Sequence, residues 1–247
     1  MLSKPILESY DLFKKDPVSS IVPVARQGYC NENYVVTTKN SRYIVRRLLR
    51  DDVNRELEST IHTLAYTEGL TSELLLYDRS RGLMFFEYLE GEHKERLTLE
   101  DIALVAKVLK RLHRIDLPAH PSSIKDLFSP PFTTEVETAL HTLSLYDTEY
   151  VLSHHDLNPY NLIWQKRTVK LIDFEYAGVS DLYFDLASVS VEFSLSPEQE
   201  LYFLESYFGK EVFFEKKLTA YKVLYQALCE SWFEQNSLKS CSVSVID

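Results

Sequence analysis

The stretch VLSHHDLNPYNLIWQ, residues 151–165, is the starting point for the fold and the function that the sequence predicts. It places two histidines, an aspartate, two asparagines and a proline between apolar flanks that are typical of buried strands. Asp, Asn and Pro are ordinary turn residues, so a turn alone would explain the stretch taken by itself. The rest of the sequence favours a catalytic role for its polar side chains.

Length, composition and charge set the outer limits on fold and function. The 247 residues, 45% of them hydrophobic and 26% charged, allow one large globular domain or two small lobes. The net charge of −10 argues against a general nucleic-acid or anionic-membrane binder, since both need a basic surface. Neither a signal peptide nor an apolar stretch of membrane-spanning length is apparent. Three cysteines without metal-ligand spacing favour a reduced, cytoplasmic location: Cys30, Cys229 and Cys241.

The first ninety residues predict a small β-rich lobe with one helix. A helix is predicted over 52–69, because apolar residues recur at helical spacing and Gly69 stands where a C-terminal cap belongs. Apolar, β-rich runs predict five strands, at residues 20–25, 33–38, 42–49, 73–78 and 82–89.

The remainder of the chain predicts a larger, mainly helical lobe. A long aromatic-rich helix is predicted over 211–236, and a strand over 168–174. Capping-box pairs mark two further helix starts, Thr98 with Asp101 and Ser196 with Gln199. The sequence therefore predicts an α+β protein that divides into residues 1–89 and residues 90–247.

A second motif gives the opening stretch its chemistry. Asn161 follows Asp156 by five residues, and Asp173 ends the predicted strand in KLIDFEYAG, twelve residues beyond Asn161. Phosphoryl transfer from ATP needs a carboxylate that orients and deprotonates the attacking hydroxyl, and oxygen ligands that hold Mg²⁺. Together the two motifs predict a kinase that uses ATP and Mg²⁺.

Three motifs, HHDLNPYNLI, LIDFEYAG and FDLAS, resemble the choline/ethanolamine kinase and aminoglycoside phosphotransferase superfamily. Within it the chain is most similar to the bacterial LicA-type choline kinase branch, through QGYCNENY, YIVRR, NRELE and FFEYLEG as well. The resemblance implies a bilobal, protein-kinase-like fold. Residues 1–89 would form the nucleotide-binding lobe, and residues 90–247 the catalytic and substrate-binding lobe.

Residue roles follow from the resemblance, position by position. It implies that Asp156 is the catalytic base and that His154 braces the catalytic loop. The implied Mg²⁺ ligands are Asn161, Asp173 and Glu175. The implied ATP-binding residues are Arg46, Glu58, Gly28, Asn31, Glu87 and Leu89, the last two through their backbone.

Two assignments among the nucleotide residues stay open at the level of sequence. Arg46 would meet the α- and β-phosphates of ATP, but a solvated arginine on an edge strand is the alternative. Its ion-pair partner would be Glu58, although Glu56 lies close enough along the predicted helix to replace it.

The acceptor is predicted to be a small molecule. A protein kinase needs a long activation segment after its metal-binding aspartate, yet Asp185 of FDLAS follows Asp173 by only twelve residues. The resemblance implies that Tyr176, Glu192 and Trp232 line the acceptor site. Aromatic faces and a carboxylate suit a cationic alcohol, and choline or ethanolamine is the leading hypothesis.

Two alternatives to a choline kinase remain. The same machinery would serve a kinase for another hydroxylated cation, such as thiamine or an aminoglycoside. The chain would otherwise be an inactive nucleotide-binding relative that acts as an interaction module. The sequence predicts no oligomeric state.

Overall fold

The chain forms two compact units, Met1–Glu90 and Gly91–Asp247. The first is built on a β-sheet and the second mainly on helices, as expected for an α+β protein. The computed structural model describes the whole chain except residues 1, 26, 28, 29 and 243–247, and the side chains of residues 233 and 235–242.

The first unit contains a five-stranded antiparallel sheet with the strand order β1-β2-β3-β5-β4. β3 is the central strand, so Arg46 lies in the middle of the sheet and its edge-strand alternative is wrong. Each strand lies at one of the five predicted runs, with ends shifted by two residues or fewer: β1 Ser20–Pro23, β2 Asn31–Thr37, β3 Arg42–Leu48, β4 Leu74–Asp78 and β5 Leu83–Glu87.

Three helices accompany this sheet: α1 Lys4–Glu8, α2 Asp11–Lys14 and α3 Arg55–Thr67. The predicted helix over 52–69 starts later because the Asn54 side chain caps it, accepting a hydrogen bond from the Leu57 amide at 3.1 Å. Gly69 has the predicted left-handed backbone, with φ of 65°. The α1 and α2 helices are too short to show a helical period, so no sequence pattern predicts them. Their core residue Phe13 packs on Phe85, with ring centroids 6.2 Å apart.

The second unit combines five α-helices with two two-stranded antiparallel ribbons among the residues described. Its strands β6 Tyr150–Ser153 and β9 Gly178–Asp181 form one ribbon, and β7 Leu162–Gln165 and β8 Thr168–Leu171 form the other. Its helices are α4 Leu99–Leu112, α5 Thr134–Leu143, α6 Tyr183–Glu192, α7 Pro197–Phe208 and α8 Glu215–Ser242. In the described part of the chain, no helix has both the length and the apolarity to cross a membrane.

Both predicted capping boxes are present. Thr98 accepts a hydrogen bond from the Asp101 amide, and Asp101 accepts one from the Thr98 amide in return. Ser196 and Gln199 make the same reciprocal pair at the start of α7. Each box satisfies two amides that a helix start would otherwise leave without partners, so local sequence fixes where α4 and α7 begin.

Gly91 begins the second unit at a point where no side chain fits. Glu92 forms an isolated bridge with Trp164 of β7, which brings the Gly91 backbone close to that strand. A Cβ atom on Gly91 would lie 2.4 Å from Ile163 Cγ2 and 2.6 Å from the Trp164 carbonyl oxygen. A glycine is therefore required for this backbone approach.

We expect Gly91→Ala to lower the free energy of unfolding by about 1–3 kcal/mol, because the added methyl overpacks a backbone contact. Urea denaturation followed by circular dichroism measures the loss. Gly178→Ala is the matched control, since a Cβ there meets only His155 Cε1, at 3.9 Å. Equal free energies of unfolding for the two variants would show that β7 has room for a side chain at residue 91.

Candidate active site

The site is built from the two segments that leave β6 and β8. Residues 154–161 connect β6 to β7, and residues 172–177 connect β8 to β9. Because β6 pairs with β9 and β7 with β8, the two segments run side by side. Ile172 joins them at both of its polar groups. Its amide donates to the Asn161 carbonyl at 3.0 Å, and its own carbonyl lies 3.0 Å from His154 Nε2.

Asp156 is held by two asparagine side chains. Asn158 Nδ2 donates to its Oδ1 at 2.9 Å, and Asn161 Nδ2 donates to its Oδ2 at 2.7 Å. Asn161 also donates to the Asp156 backbone carbonyl at 2.9 Å, so both amide hydrogens of Asn161 are directed to the same residue. The polar residues of the opening stretch therefore fix the orientation of one carboxylate, and a turn alone does not account for them.

The electrostatic environment of Asp156 favours proton uptake. Burial raises the pKa of Asp156, and the charge of Asp173 raises it further, against the lowering effect of the amide donors. Asp173 has a left-handed backbone, with φ of 67°, which is uncommon for a residue with a side chain. Such strained positions persist where the surroundings over-determine them, and they cluster at functional sites.

The donor set around Asp173 fits a magnesium ion. Since both amide hydrogens of Asn161 are donated to Asp156, the remaining amide oxygen is the atom that could bind a cation. Mg²⁺ usually takes one or two protein carboxylates and completes its shell with waters and phosphate oxygens. In the described residues no cluster of three or more His, Cys, Asp and Glu side chains forms a closed metal site. An open site at Asp173 and Asn161, with Glu175 nearby in sequence, agrees with that preference.

Asp185 connects residues 154–161, the proposed catalytic segment, to α6. Its Oδ2 accepts the His154 amide at 2.8 Å, and its Oδ1 accepts the His155 amide at 2.9 Å. His113, next to α4, contributes a third contact from Nε2 to Oδ2 at 3.1 Å. Burial acts to raise the pKa of Asp185, but the hydrogen bond from His113 and the neighbouring imidazoles hold that pKa below its ordinary value of 3.8.

The acidic residue predicted at the acceptor site lies at the end of α6. Tyr225 of α8 donates its hydroxyl to Glu192 Oε1 at 2.8 Å. Burial raises the pKa of Glu192, the Tyr225 hydrogen bond lowers it, and the charge of Asp156 raises it. Tyr176 and Trp232 are both partly buried, and Trp232 lies two helical turns beyond Tyr225, on the same side of α8.

The basic residue predicted to meet phosphate lies in a buried polar network of the first unit. Arg46 is 6% exposed, and its Nη1 lies 2.8 Å from Glu58 Oε1. Arg55 binds the other oxygen of Glu58 at 2.7 Å and also donates to Asn31 Oδ1 at 3.0 Å. Glu56 instead pairs with Arg79 on an exposed side of α3, so Glu58 is the partner of Arg46.

The other predicted nucleotide residues have simpler surroundings. The Glu87 amide donates to the Glu73 carbonyl at 3.0 Å, within the first unit. The neighbouring Tyr88 amide donates to the Arg42 carbonyl at 3.4 Å. Among the described residues, the Leu89 amide has no hydrogen-bond partner, so it could donate to a ligand. Gly28 lies outside the described residues.

Sequence reasoning did not find three polar residues that the structure places around the predicted ones. These are Arg55, His113 and Tyr225. Arg55 pairs with Glu58, three residues further along α3. The partners of His113 and Tyr225 are distant along the chain, as with His113 and Asp185, which lie 72 residues apart. No local pattern signals such pairs, although a charged residue at a helix start, as Arg55 is, invites the search for an anionic partner.

Comparisons with known proteins identify the family of this chain. The model of the phosphotransferase enzyme family matches residues 21–149 and 132–216, together more than half of the chain. Protein LicA of Haemophilus influenzae is 25% identical over 236 residues, which cover 85% of this chain and 69% of the relative. The chain therefore belongs to the phosphotransferase enzyme family, and it is an enzyme with an alcohol group as acceptor.

Solved structures confirm the predicted protein-kinase-like fold. The crystal structure of choline kinase LicA from Streptococcus pneumoniae matches with a TM-score of 0.77 and 22% identity, over 94% of this chain and 90% of that chain. Spectinomycin phosphotransferase APH(9)-Ia, in complex with ADP and spectinomycin, matches with a TM-score of 0.71 and 12% identity, over 93% and 87%.

We expect Asp185→Asn to lower the free energy of unfolding by about 3 kcal/mol, because an amide nitrogen would face buried N–H donors. The pKa of Asp185 is depressed, so its stabilising effect is present above the ordinary carboxyl pKa. The effect is lost as pH falls through the depressed folded value. Urea denaturation at neutral and acid pH measures both effects.

The control for this substitution is Asp116→Asn, which changes an exposed aspartate and should shift stability by less than about 0.5 kcal/mol. If both variants unfold at the same urea concentration, Asp185 does not fasten the catalytic segment.

Proposed function

We propose that this enzyme is a Mg²⁺-dependent kinase that transfers the γ-phosphate of ATP to the hydroxyl of a small cationic alcohol, most specifically choline or ethanolamine. The observation that carries the proposal is the Asp156 carboxylate, oriented by two amide donors and set in electrostatic contact with Asp173 and Glu192. Neighbouring carboxylates suit a positively charged acceptor. The LicA relatives support the choice of amino alcohol.

In the proposed reaction the acceptor hydroxyl oxygen attacks the γ-phosphorus of ATP. The bond from that phosphorus to the bridging oxygen of ADP breaks, and the hydroxyl proton passes to Asp156. Its raised pKa makes Asp156 a better proton acceptor than an exposed aspartate. The Asn158 and Asn161 donors use one lone pair on each carboxylate oxygen, and a second lone pair on each remains for the acceptor proton.

Asn161, Asp173 and Glu175 are the residues that would hold Mg²⁺ in this proposal. When bound, the ion would neutralise charge on the phosphates. In the first unit, Arg46 would place its guanidinium against phosphate oxygens, and Glu58 fixes its orientation through the buried ion pair.

The remaining nucleotide assignments are parts of the same proposal. Gly28, Asn31 and the backbone at Glu87 and Leu89 would contact ATP. A cytoplasmic location likewise stays a prediction from the sequence.

Glu192 would supply the charge that an ammonium group needs, with Tyr176 and Trp232 as aromatic walls. A quaternary ammonium donates no hydrogen bond, so its binding depends on a carboxylate and on aromatic faces. Burial raises the pKa of Glu192, so its charged form is costly in the free enzyme, and a bound cation would offset that cost.

We expect Asp156→Asn to lower kcat by about 10²–10⁴-fold while ATP still binds, because the substitution removes the proton acceptor and keeps the shape. A coupled assay of ADP release gives kcat, and calorimetric titration with ATP gives the affinity. Asp126→Asn, at an exposed position, is the control and should retain wild-type turnover. Near-wild-type kcat in a folded Asp156→Asn enzyme would remove Asp156 from the mechanism.

We expect Glu192→Gln to raise the KM for choline about tenfold, since a charge interaction of about 1.4 kcal/mol corresponds to that factor. The KM for ATP should stay within about twofold, because Glu192 is assigned to the acceptor alone. Steady-state kinetics with each substrate varied in turn measures both constants.

Glu205→Gln on the exposed face of α7 is the matched control for Glu192→Gln. Assays of the wild-type enzyme with ethanolamine, thiamine and an aminoglycoside complete the test. Turnover with thiamine or an aminoglycoside but with neither amine would replace the choline assignment and keep the kinase. No turnover with any acceptor would support the inactive-relative alternative.

A further inference from the structure

His155 carries contacts that the proposed mechanism does not use. Its Nδ1 lies 2.8 Å from the Tyr176 carbonyl oxygen, and its Nε2 lies 2.6 Å from Ser180 Oγ. The ring packs against Phe184 with centroids 4.4 Å apart. The backbone is left-handed, with φ of 70°, so the chain keeps a side chain at a position that favours glycine.

The two ring contacts determine the tautomer of His155. A carbonyl oxygen only accepts hydrogen bonds, so Nδ1 must carry the hydrogen that binds Tyr176. In the neutral ring Nε2 then accepts from the Ser180 hydroxyl. Burial lowers the pKa of His155, although the charge of Asp185 acts in the opposite direction, and the neutral form agrees with this geometry.

The side chain of His155 connects the two segments of the site. Its own amide is bound to Asp185, and the next residue is Asp156. The Tyr176 carbonyl that it holds belongs to the turn closed by the hydrogen bond from the Ala177 amide to the Phe174 carbonyl. That turn follows Asp173 and contains Glu175. One imidazole thus spans from the catalytic segment to the turn that carries the proposed metal and acceptor residues.

We propose that His155 is a positioning residue for phosphoryl transfer, and that its Nδ1–H bond to Tyr176 fixes the 174–177 turn relative to Asp156. The expected effect on kcat rests on the proposed function. The hydrogen bond from His155 to Tyr176, called the tether below, is present whichever acceptor the enzyme uses. A plain packing role for the ring against Phe184 is the competing explanation.

Two variants separate the tether from packing. His155→Gly keeps the left-handed backbone and removes the whole ring. His155→Asn also tolerates this backbone, and its side-chain amide N–H can take the place of Nδ1–H. Packing against Phe184 is lost in both variants, so recovery of function in the Asn variant reports the hydrogen bond alone. His120→Gly, at an exposed loop histidine, is the control.

We expect His155→Gly to lower kcat by about 10–100-fold, since a misplacement of about 1 Å at a reacting centre costs up to about 10²-fold. The Mg²⁺ concentration for half-maximal rate should also rise, and His155→Asn should restore most of both values. Hydrogen exchange of the 174–177 amides should quicken in His155→Gly and not in His155→Asn. Coupled kinetics and mass-spectrometric exchange supply these readouts.

Equal losses in the Gly and Asn variants would assign His155 to packing and overturn the tether. Unchanged exchange of the 174–177 amides in His155→Gly would overturn it as well. Failure of the proposed function looks different, because the wild-type enzyme would then phosphorylate no amino alcohol while the exchange difference persists.

Discussion

The buried carboxylate of Asp185 is the constraint on which the rest of the second unit depends. It is fully buried and accepts hydrogen bonds from two consecutive backbone amides and from the His113 ring. A buried charge is tolerated only when its hydrogen-bonding capacity is met, so the three donors and the carboxylate hold one another in place. These hydrogen bonds fix the backbone of His154 and His155, where the proposed catalytic segment begins after β6.

Two carboxylates of the candidate active site differ from Asp185, because their pKa values are raised and not lowered. Asp156 and Glu192 both have raised pKa values because burial penalises their ionised forms. The charge of Asp173 adds to this effect at Asp156, and the charge of Asp156 adds to it at Glu192. A folded protein maintains such costs at functional sites, where ligands or metals compensate them. In the first unit, Glu58 forms ion pairs with two arginines, Arg46 and Arg55. The first unit therefore has an excess of positive charge in this network, which suits the phosphates of ATP. The second unit has neighbouring carboxylates, which suit the proposed cationic acceptor.

Local sequence determined much of the fold and pointed to the groups that are proposed to react. Strand alternation and the two capping boxes depend on neighbours within a few residues, so they can be predicted from the sequence. The α1 and α2 helices could not be predicted, because helices of five and four residues show no period and are stabilised by burial of Leu7 and Phe13. The partners of His155 could not be predicted either, since they lie 21 and 25 residues away along the chain.

The most direct test of the account is phosphorus NMR of the wild-type enzyme with ATP, Mg²⁺ and choline, because it identifies the product. One phosphomonoester resonance should grow as the γ-phosphate resonance of ATP declines, in equal amounts. An Asp156→Asn sample should remain almost unchanged over the same period. Release of the γ-phosphate only as inorganic phosphate, or a spectrum unchanged by choline and by ethanolamine in an enzyme that phosphorylates another alcohol, would contradict the assignment of choline or ethanolamine as acceptor.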